Sequence, residues 1–150
     1  MDDTLHLPPR LGAPVVCDMR GAGDTPDQRL REYQRLFQRA LASRERRPEG
    51  VVFRFRAGTG MREAIESLAR REAACCGFLD HRVETAYGQV IWTTTNPLTG
   101  EERAAVDIFL DALHHLPDHP RLGHRRPLRT LAARGVEVDA APRDRLELRR

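Results

Sequence analysis

The segment with the most distinctive chemistry is Glu72-Ala-Ala-Cys75-Cys76, in which two adjacent cysteines follow a carboxylate by about one helical turn. A third cysteine, Cys17, stands much earlier in the chain. Thiolates are soft ligands that prefer ions such as Cu(I), Zn(II), Hg(II) and As(III) to magnesium or calcium. Two neighbouring thiols joined by a third from another element would therefore suit one soft metal or metalloid ion.

Two further side chains could complete such a site. His81 is in phase with Leu79 and Val83, on the side of its strand that should face the core. It could be a metal ligand, a proton carrier or a core histidine with a satisfied hydrogen bond. Glu72 shares the helical stripe of the cysteines, where a buried carboxylate needs a partner. We expect an arginine to pair with it; the alternative is a role as ligand or proton acceptor for the thiols.

The two adjacent cysteines also have a purely structural interpretation. Free cysteine behaves as a small buried hydrophobic residue, so Cys75 and Cys76 could simply continue an apolar helix face. Adjacent helical residues point about 100° apart, and the two thiols need not reach one centre. They stand at the end of the predicted helix, where the dipole disfavours a thiolate unless Arg70, Arg71 or Arg82 compensates. A strongly activated nucleophile is therefore not favoured.

The pattern of apolar and turn residues predicts the elements that must position these side chains. Thr25 and Pro26 form an N-cap and first-turn proline pair, and Gly77 is suited to cap the helix that ends with the cysteines. The predicted elements are a strand at 14–19, a helix from Pro26 to about Arg46, a strand at 51–56, a helix at 61–76, strands at 78–87 and 89–94 joined as a hairpin, and a helix from Thr99 to about Pro117.

This order, β-α-β-α-β-β-α, predicts an α+β fold of two layers, a sandwich of ferredoxin-like type with the helices on one face of the sheet. A chain of 150 residues can build one ordinary core. We therefore expect a flexible arm at 1–12, an α+β cysteine-containing domain at 13–117, and a loosely ordered, basic Arg/Pro-rich tail at 118–150.

Composition excludes several classes of function. The chain has no lysine, so all 25 basic residues are arginine, which excludes Schiff-base chemistry and a P-loop lysine. The dinucleotide fingerprint is also missing, and we expect no nucleotide cofactor. The apolar stretches are too short to predict a membrane span, and the N-terminal residues do not resemble a secretion signal. Three cysteines, an odd number, do not make the disulfide framework of a small secreted domain, which favours a cytoplasmic location.

The net charge of +3 comes from the predicted tail, because the rest of the chain is close to neutral. A nucleic-acid-binding core would carry a basic face with interleaved aromatic residues, and we do not expect the core to bind nucleic acid. The arginine-rich tail could instead bind an acidic protein partner. The sequence indicates no oligomeric state.

The chain resembles a family of small bacterial proteins, common in high-GC species of the actinobacterial type. The family pattern is an early strand cysteine, an alternating strand, a helix that ends in Glu-x-x-Cys-Cys-x-Phe-Leu, a hairpin and a final helix. The resemblance covers about residues 13–115, and its matching pieces are Val15-Val16-Cys17, Val51-Val52-Phe53-Arg54-Phe55, Glu72-x-x-Cys75-Cys76-x-Phe78-Leu79 and Val106-Asp107-Ile108-Phe109-Leu110.

Two positions depart from the family pattern. Gly77 replaces a frequent proline, and His81 stands where an aromatic residue is usual. Similar domains are associated with mercury- or arsenic-responsive functions, so the resemblance implies capture of a soft ion. It implies no catalytic role.

Three hypotheses follow from the sequence. The first is a soft-metal or metalloid site, made by Cys17, Cys75 and Cys76 with Glu72 or His81 beside them, for sequestration, sensing or transfer. The second is a thiol-dependent enzyme or redox protein, in which Cys75 or Cys76 attacks, Cys17 is the resolving cysteine, and Glu72 or His81 moves protons. The third is a non-catalytic interaction domain with structural cysteines.

Overall fold

A computed structural model describes residues 3–118 and 137–139 of the chain. The described elements are β1 (Leu5–Leu7), β2 (Val16–Asp18), α1 (Pro26–Ala40), β3 (Leu41–Arg47), β4 (Gly50–Arg56), α2 (Met61–Cys75), β5 (Asp80–Ala86), β6 (Gln89–Thr95), α3 (Gly100–His115), a short 3-10 helix (Leu116–Asp118) and β7 (Glu137–Asp139). The predicted α+β class is confirmed. Most of the predicted tail, 119–136 and 140–150, lies outside the described residues.

One antiparallel sheet of five strands forms the framework, in the order β1-β5-β6-β4-β3. Helix α2 packs on β5 and β6, whereas α1 and α3 pack on β3 and β4. Phe53 and Phe55 of β4 are 2% and 1% exposed and belong to the core. Trp92 of β6 stacks on Tyr33 of α1 with ring centroids 5.9 Å apart, which joins the helical layer to the sheet. This arrangement is a two-layer sandwich.

The ferredoxin-like arrangement is not confirmed. That topology would place the early cysteine strand within the main sheet. Here β2, which carries Cys17, pairs in parallel with β7 in a separate sheet of two strands. Because β2 is not fixed in the main sheet, it can bring Cys17 to the end of α2.

The first helix is shorter than its sequence predicts. We expected it to reach about Arg46, but it ends at Ala40, and Leu41–Arg47 form β3. The segment has good helix formers, yet its backbone pairs with β4 across the turn at Pro48 and Glu49. Arg46 also reaches from β3 to Asp111 on α3 at 2.8 Å. Tertiary pairing has therefore overridden local helix propensity.

The N-terminal segment contains a strand that its prolines and glycine did not predict. Leu5–Leu7 form β1 and pair with His81–Val83 of β5 at one edge of the sheet. Further along, the Arg10 backbone donates a hydrogen bond to the Gly77 carbonyl at 2.7 Å. Part of the predicted arm is thus in contact with the domain.

Three other predicted elements are confirmed. Helix α1 begins with a capping box, in which the Thr25 hydroxyl accepts from the Gln28 backbone and the Gln28 side chain accepts from the Thr25 backbone. Strands β5 and β6 form a hairpin whose turn residues Tyr87 and Gly88 both have positive φ, 54° and 71°. Helix α3 begins after Thr99, as predicted. Within the described residues, no helix is long and apolar enough to cross a membrane.

Candidate metal centre

The three cysteine sulfurs lie together in the structure. Cys17 and Cys76 are joined by a disulfide, with their Cα atoms 4.5 Å apart. The Cys75 sulfur is a free thiol that lies 3.5 Å from the Cys76 sulfur. All three side chains are buried, at 5%, 4% and 1% exposed for Cys17, Cys75 and Cys76. The sequence left open whether the three cysteines meet, and in the structure their sulfurs lie together.

The end of α2 explains how adjacent residues reach one point. Cys75 is the last helical residue, and Cys76 is the C-cap, with φ −116° and ψ 67°. Because Cys76 has left the helical conformation, the angle of about 100° between successive helical side chains no longer applies to this pair. The Cys76 backbone still donates to the Glu72 carbonyl at 2.7 Å, so its position remains fixed by the helix.

Gly77 does not have the capping role that we predicted. The helix already ends at Cys76, and Gly77 is not among the glycines with positive φ. A Cβ atom at Gly77 would instead meet the Arg10 guanidinium. Glycine therefore allows close approach of the N-terminal segment at this point.

The disulfide was not expected from the cysteine count. An odd number of cysteines indicated no disulfide framework, yet one bond links β2 to the end of α2 across 59 positions. If the cysteines were only buried packing residues, their three sulfurs would not need to lie together. The cluster thus combines a disulfide with a neighbouring thiol.

Glu72 pairs with an arginine, as predicted, but the arginine is Arg29 of α1. Arg29 Nη1 donates to Glu72 Oε1 at 2.6 Å and approaches the Cys75 sulfur at 3.5 Å. The opposite edge of the guanidinium binds Asp24 through two hydrogen bonds of 2.7 and 2.8 Å. Arg71 also contacts Asp24, at 3.0 Å. The thiol therefore lies against a network of paired charges.

Burial controls the protonation of this cluster. It raises the pKa of the Cys75 thiol to about 12, with the Glu72 charge adding to the effect and Arg29 opposing it. Burial also raises the pKa of Glu72 above its ordinary value, although Arg29 opposes that shift. Burial acts against the Arg29 charge as well, but Asp24 and Glu72 raise the pKa of Arg29 above its ordinary value. Cys75 is consequently a neutral thiol at pH 7.

Arg29 is the functional residue that our sequence analysis missed. We considered Arg70, Arg71 and Arg82 as compensating charges, whereas Arg29 is the residue that contacts the thiol. The signal was present in the spacing, since Arg29 lies three residues after Pro26 and four before Tyr33, both on the buried face of α1. A single arginine on an apolar stripe, 3% exposed, indicates a buried partner.

His81 is a core histidine whose Nδ1 has partners, whereas its Nε2 is buried without one among the described residues. It faces the core from β5, as predicted, and is 2% exposed. Its Nδ1 accepts a hydrogen bond from Trp92 Nε1 at 3.2 Å and lies 3.2 Å from the Thr94 hydroxyl. Because an indole can only donate, the neutral ring carries its proton on Nε2. Among the residues that the structure describes, the potential ligand atoms that lie within 4.8 Å of one another belong to Glu72, Cys75 and Cys76, and His81 is not part of that group.

The pH dependence of stability should report the burial of His81. Burial lowers the pKa of His81 to about 4, while the unfolded chain takes up a proton near pH 6.5. The folded state therefore keeps its full stability with respect to His81 above about pH 6.5, where the ring is neutral in both states. As the pH falls toward 4, protonation of His81 in the unfolded chain lowers the free energy of unfolding by about 3 kcal/mol in total. Denaturant unfolding across this range should show that extra loss in the wild type relative to His81→Gln, whose amide oxygen can still accept from Trp92. Parallel curves would contradict a neutral, buried ring.

One of the sulfur–sulfur distances is close to that found in metal sites. In a tetrahedral thiolate site with metal–sulfur bonds of about 2.3 Å, neighbouring sulfurs lie roughly 3.8 Å apart. The Cys75 and Cys76 sulfurs, at 3.5 Å, already have nearly that separation. No protein-family model, curated protein or solved structure matches the chain significantly. The family resemblance stays a prediction.

Proposed function

We propose that the protein, in its reduced form, binds one soft metal or metalloid ion through the thiolates of Cys17, Cys75 and Cys76. The observation that carries this proposal is the meeting of the three sulfurs: one pair is bonded and the third sulfur lies 3.5 Å away. Thiolates select copper(I), zinc, mercury(II) and arsenic(III) over hard ions. Such a site would serve sequestration, sensing or transfer of the ion.

Binding requires the disulfide to be opened first. A dithiol reductant supplies two electrons and two protons, the Cys17–Cys76 bond breaks, and two thiols form while the reductant becomes a disulfide. The reducing cytoplasm is the compartment that would keep the protein in this state. Oxidation would remove two of the three ligands. Ion capture would therefore depend on the redox state of the cell.

The charged neighbours have supporting roles in this proposal. When an ion binds, the Cys75 thiol must lose its proton, and its raised pKa makes binding weaken as the pH falls. The Arg29 guanidinium, 3.5 Å from the sulfur, would stabilise the thiolate that forms. Glu72 is held by Arg29 at 2.6 Å and would stay beside the ligands rather than replace one of them. His81 would remain a core residue.

Thiol–disulfide exchange is a second candidate function. The Cys75 sulfur lies next to a disulfide sulfur, and attack on Cys76 would release Cys17. A thiol with a pKa of about 12, however, is a thiolate in only about one molecule in 100,000 at pH 7. The position at a helix C-terminus disfavours the anion further. These features favour ion capture over nucleophilic catalysis.

A cysteine series tests the proposal directly. Native mass spectrometry of the reduced protein with Hg(II) should show one bound ion and three thiols protected from alkylation. Each of Cys17→Ser, Cys75→Ser and Cys76→Ser should weaken binding by on the order of a hundredfold, since loss of even an outer-shell partner costs about 10–100-fold. His81→Gln should bind like the wild type. Stoichiometric binding that survives all three serine variants would contradict the proposal.

A further inference from the structure

A cavity of about 90 Å³, partly open to solvent, adjoins the three sulfurs. Its lining includes the three cysteines together with Arg29 and Glu72, which are engaged with each other. The rest of the lining is largely apolar and comes mainly from α1, α3 and the 3-10 helix after α3, including Leu30, Tyr33, Phe109, Ala112, Leu113 and Leu116. A site for a bare ion needs the sulfurs alone. The apolar space beside them therefore needs another explanation.

The size and chemistry of this cavity fit a small alkyl group. A buried water needs two to four polar partners and a share of about 30 Å³, and the apolar wall offers few such partners. An apolar cavity of about 150 Å³ can hold benzene. The cavity here, at about 90 Å³, should therefore hold one to three carbon atoms. Each methyl or methylene group buried in it should strengthen binding by about fourfold.

We propose that the site takes a monoalkylarsenic(III) species, with arsenic bound by two thiolates and its alkyl group in the apolar cavity. This inference rests on the proposed function. An arsenic(III) atom that already carries one carbon has two positions left for sulfur, which matches the pair Cys75 and Cys76 at 3.5 Å. A monoalkylmercury ion is satisfied by one thiolate and would leave the second unused.

Once a dithiol reductant has opened the Cys17–Cys76 disulfide, the binding step itself balances without a further redox change. Methylarsonous acid, CH₃As(OH)₂, reacts with two thiols to give CH₃As(SR)₂ and two molecules of water. Two As–O bonds break, two As–S bonds form, and the two thiol protons leave with the hydroxide groups. Arsenic stays in oxidation state three. Cys17 is not consumed in this step, whereas capture of an inorganic arsenic(III) ion would also use the Cys17 thiolate.

Two variants distinguish binding of the alkyl group from binding of the arsenic atom itself. Ala112→Leu places three more carbons in the cavity from the α3 wall, and Ala104→Leu is the same change at an exposed position of α3 outside the lining. In the reduced protein, Ala112→Leu should weaken binding of methylarsonous acid by at least about tenfold and leave binding of arsenous acid within twofold. Ala104→Leu should change neither affinity. Circular dichroism should show that both variants are folded.

A third variant tests the number of sulfurs. Cys17→Ser should strongly weaken the binding of arsenous acid and leave the binding of methylarsonous acid nearly unchanged. Equal affinity of Ala112→Leu and wild type for methylarsonous acid, or equal loss of both arsenic species, would overturn the inference. Binding of Hg(II) or arsenous acid without binding of methylarsonous acid would overturn it too, and would leave the proposed function standing. Failure of the reduced protein to bind any of these probes would overturn both.

Discussion

The oxidised protein should bind Hg(II) at least about a thousandfold more weakly than the reduced protein. Oxidation holds Cys17 and Cys76 in a disulfide and leaves Cys75 alone, as a thiol whose pKa is raised to about 12 by burial. If each thiolate contributes on the order of a hundredfold to affinity, as expected for the serine variants, the loss of two should exceed about a thousandfold. Competition titrations on protein reduced with a phosphine, and on protein reoxidised with diamide, measure the difference.

The Cys17→Ser variant is the control for this experiment. It cannot form the observed disulfide, and alkylation after diamide treatment identifies the protein in which Cys75 and Cys76, with sulfurs 3.5 Å apart, are both still thiols; only that protein is compared. Its weaker affinity for Hg(II) should therefore be the same before and after diamide treatment. Tight one-to-one binding of Hg(II) by the oxidised wild type would place the ion away from the three sulfurs.

Replacement of Arg29 by methionine should lower the free energy of unfolding by about 3–5 kcal/mol. The Arg29 side chain is 4% exposed and binds Glu72 and Asp24 at 2.6 and 2.7 Å. Asp24 would keep Arg71, at 3.0 Å, but Glu72 would lose the hydrogen-bond donor that holds it. A buried carboxylate without a partner is costly, and its pKa should rise further. Denaturant unfolding at pH 7 measures the loss.

Two comparisons identify the cause of that loss. Arg31→Met removes an exposed arginine from the same helix, whose side chain is 65% exposed and lies 3.9 Å from Asp27. It should cost less than about 1 kcal/mol. The double variant Arg29→Met, Glu72→Leu should recover much of the stability, because no unpaired carboxylate remains. An Arg29→Met protein as stable as Arg31→Met, or a double variant with no recovery, would show that the pair contributes little.

Local sequence signals predicted the elements that carry Cys75 and Cys76. Helix α2 and the hairpin after it depend on an apolar stripe and a tight turn, both of which act over a few residues. The pairing of Glu72 with an arginine also followed from general physics, because a buried carboxylate needs a partner. The sequence therefore predicted the position of Cys75 and Cys76 at the end of a helix.

The features that we did not predict depend on residues far apart in the sequence. The residues of Leu41–Arg47 favour a helix, but the segment forms a strand because its backbone pairs with β4. The strand with Cys17 was predicted, but its place outside the main sheet depends on pairing with residues 137–139. Spacing placed Arg29 on the buried face of α1, but only the packing of α1 against α2 makes Glu72 its partner. Each of these outcomes is set by tertiary contacts rather than by local preference.

The convergence of the cysteines has the same origin. It requires β2 to leave the main sheet and Cys76 to leave the helix, and neither event has a local signal. His81 shows the opposite case, since its in-phase position correctly predicted a core-facing ring. Its hydrogen bonds to Trp92 and Thr94, however, required knowledge of strand register.

The coordination of Hg(II) in the reduced protein is the most direct test of ion capture by three thiolates. X-ray absorption at the mercury L3 edge, on protein loaded with less than one equivalent, counts the neighbouring atoms and identifies them. We expect three sulfur atoms in the first shell and no nitrogen or oxygen, because His81 lies elsewhere and Glu72 is held by Arg29. A shell with fewer than three sulfurs, or one completed by nitrogen or oxygen, would contradict the assignment of Cys17, Cys75 and Cys76 as a single site.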